Sequence, residues 1–359
     1  MKNVVCFDLE GPLSPQDNAY EVMGLIGDGR RLFEAISRYD DMLALEGRGG
    51  YEPGDTLSLI TPFLLLHRIT EGDIAAVSKK ANLVDGAREL LDDIKEKWNV
   101  YVISTSYRQH ALNICRQLDI PKENVYSTEL PLERFHGEID EKDLGLVADV
   151  EREMLAELQR NAGDERIKKM LDGFYSRAAN TSLAVLGEVK VVGGMRKLHA
   201  LQKVVEREGK SMNDVVAVGD SITDSKMLDA VKKGGGTAVV FNGNKYALPY
   251  GNIGLACSSM RPLQIILDAF TSGGTKKALD AAAKWGENGA RFLENPRQVP
   301  DDYMPDAVRR LLTQKSPARS FLKPDLRTLD GMTEEEKQKV VEIHSTARKH
   351  VRGAAGSLG

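Results

Sequence analysis

The sequence contains few cysteines and no long apolar run. Its three cysteines, Cys6, Cys115 and Cys257, lie far apart and lack the CxxC spacing of a zinc site. Their odd number and isolation argue against a disulfide framework, so we expect a reducing cytoplasm. No stretch approaches about 18 apolar residues, and the first residues lack the basic and apolar segments of a secretory leader. We therefore expect neither secretion nor a membrane span.

The net charge is also small. The chain has 49 basic and 53 acidic residues among 359, a formal charge of −4. This balance gives no electrostatic reason to expect a nucleic acid or an anionic membrane as partner. The first predicted strand is followed by Gly11-Pro12 and lacks the GxGxxG spacing of a dinucleotide site. A small-molecule ligand is the remaining expectation.

Short apolar runs alternate with helical patterns through much of the chain. The predicted strands cover 3–7, 99–103, 124–128, 214–218, 237–241 and 253–257, and the predicted helices between them cover 85–97, 107–118, 195–208 and 224–232. Two further short strands are candidates near 134–139 and 182–191. This β-α alternation predicts an α/β fold with a parallel sheet.

Three segments interrupt or extend this pattern. A helical module at 14–82 follows the first strand, and a charged, helix-prone insertion occupies 131–192. Beyond 261 only helices are predicted, at 276–295, 303–314 and 333–352. The predicted catalytic core therefore comprises 1–13, 83–130 and 193–260, with 261–359 as a helical C-terminal extension. Its helices can pack on the core or on a second chain, so homo-oligomerisation and docking both stay open.

Two carboxylates follow the first strand in Asp8-Leu9-Glu10-Gly11. Asp8 is suited to attack a phosphate ester and form an aspartyl-phosphate, and Glu10 to act as general acid and base. The alternative, which fits these four residues equally well, is that the carboxylates are simply polar residues at the end of a strand.

A second acidic loop, Gly219 to Asp224, follows the apolar run DVVAV. Mg²⁺ prefers hard oxygen ligands, which Asp8, Asp220 and the backbone carbonyl of Glu10 can provide. Asp224 is a further candidate for the metal site, where it would either support the direct ligands from behind or bind the metal through a water molecule. The alternative is that Asp224 only caps the following helix.

Ser104 ends the predicted strand NVYVI, where its hydroxyl and the following amides can bind phosphate at a helix N-terminus. Thr105 is a second candidate donor, and an ordinary N-cap is the alternative. Lys197 is a cation suited to a phosphate site, although an isolated lysine is usually solvent-exposed.

The segments FDLEG, VISTS, Lys197 and GDSITD resemble the four ordered motifs of the haloacid dehalogenase superfamily. Lys197 lies 23 residues before Asp220, which resembles the phosphoserine phosphatase branch and favours Lys197 over Lys190, Lys203 and Arg196. The resemblance implies Mg²⁺-dependent hydrolysis of a small phosphorylated metabolite. It places phosphate binding at Gly11, Ser104, Thr105 and Lys197, and it makes 14–82 a cap.

The cap offers candidate substrate contacts, although each also fits a solvated helix charge. They are Asp17, Glu21, Arg38, Glu46 and Arg48.

Glu10 departs from the aspartate that most phosphatases of this superfamily carry, and it resembles a minority with a D-x-E-G loop. Transfer of phosphate to an alcohol in place of water therefore stays open. The whole chain also resembles archaeal proteins labelled subunit R of energy-converting hydrogenase. That label names an association, and three scattered cysteines cannot hold an iron–sulfur cluster. A non-catalytic subunit that docks through 140–175 or the C-terminal helices is a separate alternative, and the presence of Asp8, Asp220 and Lys197 together argues against it.

Overall fold

A seven-stranded sheet forms the centre of the protein. The computed structural model describes residues 2–47, 51–314 and 322–357. The strands are β1 (Asn3–Phe7), β2 (Trp98–Tyr107), β3 (Val125–Thr128), β4 (Val215–Gly219), β5 (Thr237–Phe241), β6 (Ile253–Ala256) and β7 (Asp325–Thr328). Their spatial order is β3-β2-β1-β4-β5-β6-β7, and all pairs are parallel except β6 with β7. The predicted α/β fold with a parallel sheet is confirmed.

Helices cover both faces of the sheet and form the two insertions. After β1 come α1 (Asn18–Met23), α2 (Gly29–Leu45), α3 (Thr56–Leu59), α4 (Thr61–Leu66) and α5 (Glu71–Ser78). Around β2 lie α6 (Ala87–Ile94) and α7 (Arg108–Gln117), and after β3 come α8 (Leu132–Glu138), α9 (Glu141–Gln159) and α10 (Asp164–Ala178). The rest are α11 (Gly194–Arg207), α12 (Ser225–Lys233), α13 (Leu263–Glu294), α14 (Asp306–Thr313) and α15 (Glu334–Arg352).

The apolar strands are buried on both faces. In β1, Val5 and Phe7 pack into the core that includes residues of α6, α7 and α13. Val4 and Cys6 point to the other face, where residues of α11, α12 and α15 pack. Successive side chains of a strand point to opposite faces, so a run of apolar residues is the pattern that a doubly covered parallel strand requires.

Two strand predictions and one helix prediction are wrong. Residues 134–139 lie mostly in α8, because Leu132, Phe135 and Ile139 are buried at helical spacing. Residues 182–188 form a 3₁₀ helix that buries Leu183 and Leu186, three residues apart. The C-terminal extension, predicted to be wholly helical, contributes the edge strand β7, whose four residues DLRT are too few and too polar to show a pattern.

The two insertions share one hydrophobic core. Residues from α1 to α5 and from α8 to α10 are buried in the same cluster. Phe63 of α4 and Phe174 of α10 are fully buried, with ring centroids 6.3 Å apart. The segments predicted as separate insertions at 14–82 and 131–192 therefore pack together as one helical unit.

Helix α15 packs on the sheet through a buried histidine. His344 is fully buried, and its Nδ1 accepts a hydrogen bond from the amide of Gly243 at 3.0 Å. A Cβ on Gly254 of β6 would lie 3.0 Å from Nε2 of His344, so the glycine permits the close approach of the helix. This contact directs the last turns of α15 toward the carboxyl end of β4. None of the helices among the described residues is long and apolar enough to cross a membrane.

A double-mutant cycle tests the shared core of the two insertions. We expect Phe63→Ala and Phe174→Ala each to lower the free energy of unfolding by about 3–5 kcal/mol, because each leaves a cavity. Urea denaturation should show a coupling of at least about 0.5 kcal/mol in the double variant. Lys169→Ala, on the exposed side of α10, serves as control. Strictly additive losses would show that the insertions do not share a core.

His344 should make stability depend on pH. Burial lowers the pKa of His344 from 6.5 to about 4, against the opposing effect of Asp325. The folded imidazole stays neutral while the unfolded chain takes up a proton below pH 6.5, so stability falls as the pH drops from 6.5 toward 4. Urea denaturation at several pH values should show a smaller loss in His344→Gln than in wild type. An equal loss in both proteins would contradict this assignment.

Candidate functional site

The site forms where the strand order reverses. Strands β1 and β4 are neighbours, with Phe7 in register with Val218, so the residues after both strands emerge side by side. The amide of Asp8 donates to the carbonyl of Val218 at 2.8 Å. Ligands of open α/β sheets bind at such a reversal, beyond the carboxyl ends of the strands. The topology thus brings Asp8 and Asp220 together.

Gly11 permits the two loops to approach each other. Its φ of +108° favours glycine, and a Cβ at this position would lie 2.2 Å from Oδ2 of Asp220. The structure therefore explains the glycine by close packing against Asp220. The predicted contact of Gly11 with phosphate stays a prediction.

Lys197 is the centre of a buried ion-pair network. Its Nζ lies 2.7 Å from Oδ1 of Asp8 and 2.7 Å from Oδ1 of Asp224, and the side chain is fully buried. Burial lowers the pKa of Lys197, but Asp224 and Asp8 outweigh that effect and raise it above its usual value. Lys197 is therefore charged, and the alternative of a solvent-exposed lysine is wrong.

The two carboxylate oxygens of Asp8, the candidate nucleophile, have different surroundings. Oδ1 of Asp8 accepts from the amide of Leu9 at 2.7 Å in addition to its contact with Lys197. Oδ2 accepts no hydrogen bond from the described residues, and Asp8 lines the cavity of the site. Burial raises the pKa of Asp8 to about 7, reinforced by Asp224 and opposed by Lys197. This arrangement orients a single carboxylate oxygen toward a ligand.

Asp224 organises the second acidic loop. Its Oδ2 accepts from the amides of Asp220 at 2.9 Å and Ser221 at 3.0 Å, while Oδ1 contacts Lys197. Its side chain makes no capping hydrogen bond to α12, so the alternative role as a helix cap is wrong. Both oxygens are engaged, and direct ligation of a metal by Asp224 would require one of these contacts to be replaced.

The acidic residues can accommodate a divalent cation. One oxygen from each of Asp8, Asp220 and Asp224 lies within 4.8 Å of the others. Oδ1 of Asp220 is buried without a hydrogen-bond partner among the described residues, as expected of an oxygen that awaits a cation. The Glu10 carboxylate does not belong to this convergent group, so its contribution would be through its backbone carbonyl, as predicted.

Glu10 lines the same cavity as Asp8 and Asp220 but has a different environment. Its Oε1 accepts from the amide of Asn18 at 2.9 Å and lies 3.9 Å from Nε2 of His110. Burial, followed by the charge of Asp17, raises the pKa of Glu10 to about 8, against the opposing charge of Arg352. His110 is no cationic partner, because burial lowers its pKa to about 4. Glu10 can therefore hold a proton near neutral pH.

Ser104 and Thr105 line the same cavity from strand β2. The predicted end of this strand at Ser104 is wrong, since β2 continues to Tyr107 and α7 begins only at Arg108. The pairing with β3 shifts between Ile103 and Tyr107, and this irregularity re-aims the intervening side chains. Ser104 is therefore not at a helix N-terminus, and its Oγ accepts from the amide of Ser106 at 3.0 Å.

The first insertion closes over the site. Gly54 has a φ of +94°, and a Cβ there would lie 2.9 Å from Cγ2 of Thr105. Asp40 fixes this loop by accepting from the amide of Gly54 at 3.1 Å and the hydroxyl of Thr56 at 2.6 Å. The cavity has a volume of about 90 Å³ and is partly open to solvent. Its size fits a small ligand, which residues of the first insertion would partly cover.

Two residues of the site were missed by the sequence analysis. Arg348 contacts both Oδ2 and the carbonyl of Asp220, and Arg352 lies 3.2 Å from the same Oδ2. Both arginines line the cavity. Their spacing of four residues places them on one face of α15, but this helix is charged on several faces, so the spacing alone did not distinguish them.

Of the residues at 14–82 that were predicted to contact a substrate, some line the cavity and others do not. Asp17 lines the cavity. Glu21, Arg38 and Glu46 do not, since they form ion pairs with Arg30, Asp164 and Lys168, respectively. Arg48 lies outside the described residues.

Comparisons with known proteins agree with this architecture. A family model described as haloacid dehalogenase-like hydrolase matches residues 153–245, which include Lys197, Asp220 and Asp224. No curated protein matches the chain.

Solved structures resemble the chain over different extents. A gene product of Archaeoglobus fulgidus is 25% identical and has a TM-score of 0.77, with 100% of this chain and 99% of that chain covered. A phosphoserine phosphatase in apo form is 14% identical, with 74% and 98% covered and a TM-score of 0.47. A hydrolase from Salmonella enterica serovar Typhi is 14% identical, with 67% and 62% covered and a TM-score of 0.42. The chain therefore has an α/β fold with a mostly parallel sheet, and its residues 153–245 match the haloacid dehalogenase-like hydrolases.

Proposed function

We propose that this protein is a phosphohydrolase that cleaves a small phosphate monoester through an aspartyl-phosphate on Asp8 and requires Mg²⁺. The main support is the buried bridge of Lys197 between Asp8 and Asp224, which holds one oxygen of Asp8 while Asp8 lines the cavity. The match of residues 153–245 to haloacid dehalogenase-like hydrolases supports the same chemistry.

In the first step, the free Oδ2 of Asp8 attacks phosphorus and the ester P–O bond breaks. The electron pair of that bond leaves with the alcohol oxygen, which takes a proton from Glu10. The raised pKa of Glu10, to about 8, makes the protonated form available near neutral pH. Lys197 keeps Oδ1 of Asp8 in place, so the reacting oxygen needs little reorganisation.

In the second step, water attacks the phosphorus of the aspartyl-phosphate. Glu10, now deprotonated, takes the proton of that water, and the bond between phosphorus and Asp8 breaks to release phosphate and the free carboxylate. The loop of Gly54, which packs against Thr105, would partly cover a ligand during this step. Transfer to another alcohol would use the same first step.

The residues suited to hold Mg²⁺ are Asp8, Asp220 and the backbone carbonyl of Glu10, with Asp224 behind them. When bound, Mg²⁺ would offset the negative charge of the phosphoryl oxygens and of the carboxylates around them. Without a cation, Asp8 and Asp220 would repel a phosphate dianion. We further propose that the substrate is a small phosphorylated metabolite of the cytoplasm.

Asp8→Asn tests the nucleophile. We expect this variant to lose phosphate release by at least about 1,000-fold, because the amide cannot form the covalent intermediate. Phosphate release should be measured with and without Mg²⁺ across a panel of phosphomonoesters. Asp92→Asn, an exposed carboxylate on α6, makes the same chemical change away from the site and should retain full activity.

The outcome of this comparison decides the mechanism. Metal-dependent release in wild type and Asp92→Asn, lost in Asp8→Asn, would support the proposal. Full activity of Asp8→Asn would contradict a covalent intermediate on Asp8. Absence of release from every substrate by wild type would instead support the non-catalytic alternative.

Glu10→Gln tests the general acid. General acid catalysis contributes about 100-fold or more, so single-turnover cleavage of an alkyl phosphate should slow by about that factor. Cleavage of p-nitrophenyl phosphate should slow much less, because nitrophenolate leaves without protonation. Rapid quench of both substrates measures the two rates. Equal losses for both would remove Glu10 from the role of acid in the first step.

A further inference from the structure

We propose that Arg352, held in place with Arg348 by helix α15, binds the phosphoryl group at this site. The inference rests on the proposed function and assigns to the C-terminal extension a direct part in ligand binding. It concerns residues far along the chain from every motif that identified the site.

Helix α15 has a polar face directed into the protein. His344, Arg348 and Arg352 follow one another at intervals of four residues, and His344 anchors this face to the loop after β5. The side chains of Arg348 and Arg352 are only 4% and 6% exposed. Burying an arginine costs free energy unless its charge is paired, and here the carboxylate of Asp220 pairs with both guanidinium groups.

Arg348 fixes the end of the helix. Its Nε donates to the carbonyl of Gly356 at 3.2 Å, and its Nη1 contacts the carboxylate and the carbonyl of Asp220. These contacts tie α15, the segment after it and the loop after β4 together. Arg348 is therefore a positioning residue for its neighbour Arg352.

Arg352 is held more loosely. Its Nη1 lies 3.2 Å from Oδ2 of Asp220, and its Nε lies 3.4 Å from the carbonyl of Pro15. No described residue accepts a hydrogen bond from its Nη2. The guanidinium lines the cavity that also contains Asp8 and Glu10, so it has a donor to offer to a ligand there.

An anion that enters this cavity needs cationic partners, because the lining contains more carboxylates than arginines. Lys197 is already shared between Asp8 and Asp224, so it has limited capacity to neutralise an incoming phosphate dianion. Arg352, like Arg348, is a buried cation that lines the cavity, and a planar guanidinium matches the oxygens of a phosphoryl group.

A hydroxyl supports the same assignment from the opposite side. Oγ1 of Thr105 is buried without a hydrogen-bond partner among the described residues, and Thr105 lines this cavity. A phosphoryl oxygen would provide the acceptor that the hydroxyl lacks. The arginine and the hydroxyl, contributed by different elements, thus point to one anionic ligand.

Inorganic phosphate provides the test. Its dissociation constant should be measured by isothermal titration calorimetry, in the presence of MgCl₂, for the full chain and for Arg352→Met and Arg352→Lys. We expect Arg352→Met to bind phosphate at least about tenfold more weakly, since it loses a charged hydrogen-bond donor. Arg352→Lys keeps the charge but not the planar fork, and should bind between the two.

Lys349→Met is the matched control, because it removes a cation from an exposed position of the same helix. It should bind phosphate within about twofold of wild type. Thermal melting of each variant establishes that it is folded, and if Arg352→Met fails to fold, weakened phosphate binding by folded Arg352→Lys carries the test.

Other outcomes would overturn the inference. Phosphate binding by Arg352→Met within about twofold of wild type would show that the arginine only neutralises Asp220. Undetectable binding by wild type would also refute the anion site. Failure of the proposed function is distinguishable: phosphate binding that depends on Arg352 without hydrolysis of any ester would retain the anion site and reject the hydrolase.

Discussion

The rest of the site depends on the buried ammonium group of Lys197. A buried positive charge is stable only when it is paired, and here two carboxylates form ion pairs with it. Asp8 and Asp224 each place an oxygen 2.7 Å from its Nζ. Removing either carboxylate would leave the ammonium with a single partner, and removing Lys197 would leave two acids close together without a cation. The position of the nucleophile candidate and that of the second acidic loop are thus coupled through one side chain.

This coupling requires close packing of the surrounding backbone. Asp224 stabilises the loop that contains Asp220 by accepting hydrogen bonds from two amides of that loop. Gly11 has no side chain, so the loop after β1 can pack closely against Asp220. The pKa of Glu10, raised mainly by burial, follows from the same enclosure. One carboxylate is therefore held by a cation while another, two residues away, can retain its proton, which is the division of roles that acid–base chemistry needs.

Parts of the chain distant from the core complete the enclosure. The two insertions share a hydrophobic core, so the loop around Gly54 is supported by helices from both. That loop also contacts the start of α11, where Glu52 accepts from the amide of Met195 at 2.8 Å. Helix α15 closes another side with Arg348 and Arg352. The residues that line the cavity therefore come from four parts of the chain that are remote in sequence, 8–57, 104–105, 220–223 and 348–352.

The sequence by itself determined the sheet and the acidic centre. Continuous apolar runs such as NVVCF predict buried parallel strands, and Asp8 and Asp220 could be identified because the ends of strands are local properties of a sequence. Lys197 could be identified only through the resemblance of its spacing to that of a known family. Tertiary structure decided what local patterns do not encode. The irregularity after Ile103, the pairing of β7 and the entry of Arg352 depend on which surfaces meet across the fold, and a charged helix carries no local sign of the face that will be buried.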